Sequence, residues 1–195
     1  MKKTIIYSII VVLSLTKINA QRKMDERMKP SQEELQKFLS NIPQGEEKDF
    51  GFTDRKQFKK ASLGSPILMQ TFNEKGEIIT ENGYRIPIIV NTEKVLFLTA
   101  RLTDGNLEIV DMGGSVLAHE IGKYESSGIK VYSIMRLYNA NIDFVQINDT
   151  ENEKEAKYYP LSSATQRLTD NKSSKQYYSA DDLRNIYKNT PKNNN

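Results

Sequence analysis

The chain predicts an α+β fold: a single antiparallel sheet of about five to seven strands laid out as meander, helix and hairpin, with helices packed on one face and polar tails. Three observations predict it. Runs that alternate apolar and polar residues recur between Pro66 and Ile147, at the period of a strand with one buried face. Segments after Ser31, Ser115 and Ser179 instead space their apolar residues three and four apart, the period of a helix. The stretches from Gln21 to Asp49 and after Leu161 are polar, so the core-forming residues lie between them.

In chain order, Lys2 and Lys3 precede an apolar run from Ile5 to Leu15, and Ile18-Asn19-Ala20 ends on a small residue. This is the pattern of a secretory signal peptide, with cleavage expected after Ala20. The run is about half of the roughly 20 apolar residues a spanning helix needs, and no stop-transfer pattern follows. The expectation is a secreted or periplasmic protein with no transmembrane segment after signal cleavage. Cleavage removes Lys2, Lys3 and Lys17 from a total of 28 basic and 25 acidic residues, leaving a formal net charge of zero. Such a chain has no general pull toward phosphate backbones, so nucleic acid is not an expected partner. Cysteine is absent. That excludes disulfides, a lipoprotein anchor, a thiol nucleophile and thiolate metal sites.

The expected layout is a signal peptide over 1–20, a linker with a short amphipathic helix over 21–49, a compact α+β domain over 50–161, and a polar tail with a short C-terminal helix over 162–195. Ser31 and Glu34 have capping-box spacing, and Leu35, Phe38, Leu39 and Ile42 follow at helical intervals before Pro43. A second short helix begins with Thr53 or Asp54 as N-cap, turns Phe58 and Ala61 inward, and ends by Gly64. Pro66 to Phe72 reads as a strand, with Asn73-Glu74-Lys75-Gly76 as the following turn.

The densest apolar patterning runs from Tyr84 to Ile121. Tyr84, Ile86, Ile88 and Val90 share one face of a strand, and Pro87, which has no N–H to give, places that strand at an edge or a bulge. From Val95 to Leu102 both faces are apolar, Val95 and Phe97 on one and Leu96, Leu98, Ala100 and Leu102 on the other, so that strand is central. Asp104-Gly105 is a two-residue hairpin signal that returns Asn106 to Met112 antiparallel. Gly113-Gly114 breaks the strand, and Ser115 is the natural N-cap of a helix with Leu117, Ile121 and Tyr124 on one side. After Gly128, Ile129–Tyr138 and Ile142–Ile147 form a hairpin about Asn139-Ala140-Asn141. Lys157 to Pro160 adds a short strand, Ser162 to Leu168 one or two helical turns, Asp170 to Gln176 a linker, and Ser179 with Asp182 caps a final helix.

Local catalytic patterns fail one by one. His119, the single histidine, is followed by Glu120, but Lys123 stands where a zinc-protease helix needs its second ligand. Ser115 lacks the G-x-S-x-G spacing of a nucleophile elbow, and Ser127 with Lys130 satisfies S-x-x-K at a turn rather than a helix start. Gly113-Gly114 before a helix offers amides to an anion but carries neither phosphate-loop pattern. Asp149 to Glu155 lacks the glycine and terminal glutamate of a calcium loop. No catalytic residue, metal ligand or cofactor is assigned. The contact candidates are Gly113, Gly114, Ser115 and His119 at the strand-to-helix junction, and Tyr158 and Tyr159, because neighbouring tyrosines on a strand cannot both face inward.

The expected function is an exported, non-catalytic binding or accessory module for a protein or peptide. The alternatives are a secreted protease inhibitor or propeptide-like chaperone acting through an edge near Pro87 or the terminal helices, and a carboxylate-based hydrolase pairing two acids among Asp49, Asp54, Asp104 and Asp111.

Overall fold

The structure, a computed structural model, describes residues 30–104, 106–148, 150, 152–169 and 175–190. The expected signal peptide, the expected linker before Pro30, most of the expected linker after Leu168 and the asparagine-rich end lie outside these residues. The helices are α1 (Gln32–Ser40), α2 (Ser115–Ser126), α3 (Ser162–Thr169) and α4 (Ala180–Asn189), with two 3-10 helices at Glu47–Phe50 and Arg55–Lys60. The strands are β1 (Ser62–Leu63), β2 (Ile67–Phe72), β3 (Ile78–Val90), β4 (Glu93–Thr103), β5 (Asn106–Gly113), β6 (Ser133–Leu137), β7 (Ile142–Gln146) and β8 (Tyr158–Pro160).

Helix ends follow the local chemistry. Ser31 and Glu34 close a capping box, and so do Ser179 and Asp182. Asp54 accepts the Lys56 amide at 2.7 Å and starts the second 3-10 helix. At α2 the N-cap is Gly114, not Ser115: its φ of 73° is a left-handed turn that glycine adopts without strain, so the helix begins one residue earlier than its serine suggests. Thr103 pairs with Asn106 across the expected hairpin, and Asp104 takes a φ of 51°.

The sheet has eight strands in the order β5-β4-β3-β2-β6-β7-β8, with β1 also paired to β3, so it is larger than expected. It is also mixed. β6 runs parallel to β2, Met69 opposite Ile134, while every other pairing is antiparallel. The meander β2–β5 leaves β2 with a free edge, and the hairpin that follows α2 fills it, a parallel pairing that needs the helical crossover between the strands.

Pro87 sits inside the sheet, not at an edge, since β3 is flanked by β4 on one side and by β1 and β2 on the other. Its carbonyl accepts the Gly64 amide at 2.8 Å, in the gap where β1 ends and β2 has not begun. A residue's N–H and C=O face the same neighbour in an antiparallel ladder. The missing donor therefore falls where the neighbouring strand is interrupted. Gly64 fits there because a Cβ would lie 2.6 Å from the Pro87 ring.

The bulge lies across from β3, on β4. Ile88 faces Leu96 and Ile89 faces Lys94, which leaves Val95 as the extra residue. Val95 accordingly joins Leu96 and Leu98 in one cluster, and not Phe97 as simple alternation would have it. Its carbonyl would lie 2.4 Å from a Cβ on Gly51, whose φ is 83°, so glycine is required at that crossing.

Helices cover both faces, a second departure from expectation. On the first face, Leu35 and Leu39 of α1 with Phe52 and Phe58 pack on Ile86, Ile88, Leu96, Leu98 and Ala100, while Ala164, Tyr178, Ala180 and Leu183 pack on Phe72, Met135, Leu137 and Phe144. On the second face, Ala118 and Ile121 of α2 pack on Phe97, Ile67, Met69, Ile134 and Val145. The alternation of β4 that made both faces apolar thus calls for a helix on each. Among the described residues no helix is long and apolar enough to cross a membrane.

Candidate functional site

α2 covers only part of the second face. Further along the same strands the positions on that side become polar. On β3 and β4, Arg85 is two residues from Pro87 and opposite Thr99, while Pro87 is opposite Phe97 under the helix. On β6 and β7, Arg136 and Asp143 face each other, two residues from Ile134 and Val145. Tyr138 follows Arg136 on the same side, and its hydroxyl donates to Glu81 at 3.1 Å, bringing the far end of β3 into the group. The result is a ledge of charged side chains beside a helix-covered apolar half.

Its geometry divides into a closed part and an open part. Arg136 donates through one nitrogen to both oxygens of Asp143, at 3.0 and 3.1 Å, and through the other to Asn141 at 2.6 Å. The Arg136 guanidinium also lies 5.5 Å from the centre of the Tyr138 ring. The Asp143 amide takes a bond to Ser163 of α3 at 2.9 Å. Burial pushes the Asp143 carboxyl above its ordinary range, and Arg136, Arg85 and Ser163 act against that without reversing it. The Tyr138 hydroxyl is raised too, first by burial and then by Glu81. Arg136 is therefore neutralised and fixed.

Arg85 is the open part. Its Nη1 donates to Thr99 Oγ1, which fixes the plane of the guanidinium. Its Nε is shut off from water and meets no acceptor among the described residues. No acidic side chain among them closes an ion pair with it. A desolvated guanidinium N–H without an acceptor is costly, and folding alone gives no reason to keep one.

The junction residues singled out by sequence lie elsewhere. Gly113 ends β5, Gly114 and Ser115 start α2, and His119 is exposed with Nδ1 at 2.8 Å from the Ser115 carbonyl. The two tyrosine doublets each split. Tyr158 and Tyr178 turn inward and bridge to each other, and burial pushes the Tyr158 hydroxyl up to about 12. Tyr159 packs half-buried against the second-face cluster and Tyr177 is exposed, their rings 6.0 Å apart, with Tyr124 6.4 Å from Tyr159 and Lys157 5.0 Å from the Tyr177 ring. The ring planes are inclined to one another, so they form no flat stacking platform.

A shallow cavity of about 380 Å³ opens on the first face between α3 and α4, floored by Ile142, Leu168 and Ile186 and rimmed by Arg167, Asn185 and Asn189. Neither the junction residues nor the ledge line it. Among the described residues no group of three or more His, Cys, Asp or Glu side chains is placed to hold a metal ion.

Of the four aspartates considered for a carboxylate pair, Asp111 stands on β5 opposite Thr99, and Asp49 and Asp104 lie toward opposite ends of β4. Asp54 is used as a cap, and the segment carrying Asp49 meets the start of β4 through Gly51, whereas Asp104 lies past the other end of that strand. Eleven residues of strand separate the two ends, roughly 35 Å at about 3.4 Å per residue.

Sequence reasoning passed over Arg85 and Arg136 because each sits singly in an apolar strand. The available signal was an arginine at a strand position whose neighbours two residues away are apolar. Compared with known proteins, the chain matches no family model, no curated protein and no solved structure.

Proposed function

We propose that this chain is an exported, non-catalytic binding module that holds a protein or peptide partner against the helix-free half of its second sheet face. The observation that carries the reading is Arg85, a half-exposed guanidinium fixed by Thr99 and without an acid of its own among the described residues, on a polar ledge. Export rests on the signal-like pattern of residues 1–20. Tyr138, 53% exposed, supplies the large adaptable contact that protein interfaces favour.

The hydrolase reading has one point in its favour, since Glu81 and Asp143 share the ledge. Asp143, however, is held by Arg136 and Ser163, and Glu81 by Tyr138, so the two carboxyl groups are each committed to a separate partner. The inhibitor reading loses its edge at Pro87. What remains for it is the terminal helices and the sheet ends at β5 and β8, and on β5 a bulge at Val110 with Glu108 and Asp111 beside it resists added strands.

Photo-cross-linking in the native periplasm or medium tests the proposal. A photoreactive residue at position 138 should capture one defined partner, whereas one at Val116, exposed on α2, should not. Turnover of any substrate by the purified mature chain, lost on changing Glu81 or Asp143, would overturn it.

A further inference from the structure

Of the two arginines on the ledge, one is already neutralised. Asp143 takes Arg136 through both oxygens, Asn141 fills its second nitrogen, and Glu81 is held by Tyr138. Arg85 alone of this group lacks an acid, although it lies close enough to act electrostatically on both Asp143 and Tyr138. With one Nη1 N–H committed to Thr99 and Nε closed to solvent, the Nη1–Nη2 end of the guanidinium remains, and there it offers adjacent N–H groups at the spacing of two carboxylate oxygens.

We infer that Arg85 is the anchor for a carboxylate on an acidic segment of the partner, an inference that rests on the binding reading above. The charge around the site selects among anions. Asp143 and the Glu81 held by Tyr138 share the ledge with Arg85, so a singly charged carboxylate meets less repulsion there than a phosphate carrying two charges. Thr99 and Tyr138 border the same spot with hydroxyls, which suit a polar rim around a single charged contact.

Two measurements test this separately from the binding reading. In the first, the Thr99 methyl resonance, beside the Arg85 guanidinium, is followed by NMR as acetate, and in parallel inorganic phosphate, replaces chloride at matched ionic strength. Acetate should shift it saturably and more than phosphate, and R85K should abolish the response because a point charge cannot reproduce the fork. No saturable shift, or a stronger response to phosphate, would overturn the carboxylate assignment. In the second, capture at position 138 is repeated with R85Q, which should weaken it at least about tenfold, the effect of losing one good charge-assisted pair. Undiminished capture would remove Arg85 as the anchor and leave the binding face standing. Absence of capture by the otherwise unaltered chain would instead remove the binding face, and the acetate titration would then decide Arg85 alone.

Discussion

The two halves of the sheet's second face are made by the same strands and differ in what covers them. Under α2 the inward positions are Phe97, Ile67, Met69, Ile134 and Val145, and each is buried. A few residues further along the same strands they are Thr99, Arg85, Thr71, Arg136 and Asp143, outside the cluster that α2 covers; Thr71 and Asp143 are buried all the same, and Asp143 meets α3 through Ser163. The covered half follows from hydrophobic burial alone. The bare half satisfies most of its polar groups within itself and leaves one guanidinium incomplete, which is how a contact surface differs from a solvated one.

The largest effect should come from the covered half. Phe97→Ala empties a fully buried ring position between β4 and α2 and should cost about 3–5 kcal/mol in urea unfolding. Thr99→Val, two residues on and facing the same way, should cost less than about 1 kcal/mol, since it removes one hydrogen bond at a half-buried site. Equal losses at the two positions would erase the distinction.

Next in size is the closed ion pair. Arg136→Gln leaves the buried Asp143 carboxylate without its cation, and at pH 7 it should cost about 1–3 kcal/mol, less than a fully buried pair because Arg136 is a quarter exposed. The sign with pH follows from Asp143 being raised when folded. The folded chain then holds the proton more tightly than the unfolded chain does. Its stabilising contribution is fully present below the ordinary carboxylate range and fades as pH rises through the raised value. Arg136→Gln should raise that value further, so its cost should shrink on moving from pH 7 to pH 4. Asp143→Asn, which cannot ionise, should flatten that part of the profile and stay within about 1 kcal/mol of the unaltered chain at pH 7. A cost for Arg136→Gln that grows in acid would contradict the assignment.

The covered half holds its own ion pair, Lys94 with Glu125 at 2.8 Å, tying β4 to the end of α2. Lys94 faces α2 because the bulge at Val95 reverses the alternation there. Glu125→Gln should cost about 1 kcal/mol by leaving a buried ammonium, and Lys94→Met should be near neutral, since its stem already packs beside Gly122. Here the pair is replaceable by apolar contact. On the bare half it should not be.

Much of the fold was legible because it is local. The capping pairs at Ser31 and Ser179, the hairpin at Asp104 and the alternation from Tyr84 onward are each written in a few consecutive residues. What was not legible is set at long range. The parallel pairing of Met69 with Ile134 joins segments on either side of α2, and the bulge at Val95 depends on how β3 and β4 slide past each other. The ledge failed to show for the same reason. Glu81 and Arg85 come from β3, Thr99 from β4, Arg136 and Tyr138 from β6 and just beyond, and Asp143 from β7, so no window of sequence contains them. Gly113 to His119, by contrast, drew attention because those residues are adjacent, and adjacency is no guide to what a sheet brings together.

The smallest effect on folding should carry the largest effect on binding. Arg85→Gln removes a guanidinium whose Nε has no acceptor, and it leaves the pair between Arg136 and Asp143 intact. Its stability should stay within about 0.5 kcal/mol of the unaltered chain, or rise, because no folded-state ion pair is lost and a desolvated donor is relieved. A residue kept for packing shows the opposite, a loss in urea unfolding that parallels any loss of function. Thr99→Val frees the same guanidinium without deleting it and should leave capture at position 138 weakened but present. If Arg85→Gln instead unfolded the chain as Phe97→Ala does, Arg85 would belong with the covered half, and the bare half would be a solvated surface with no anchor on it.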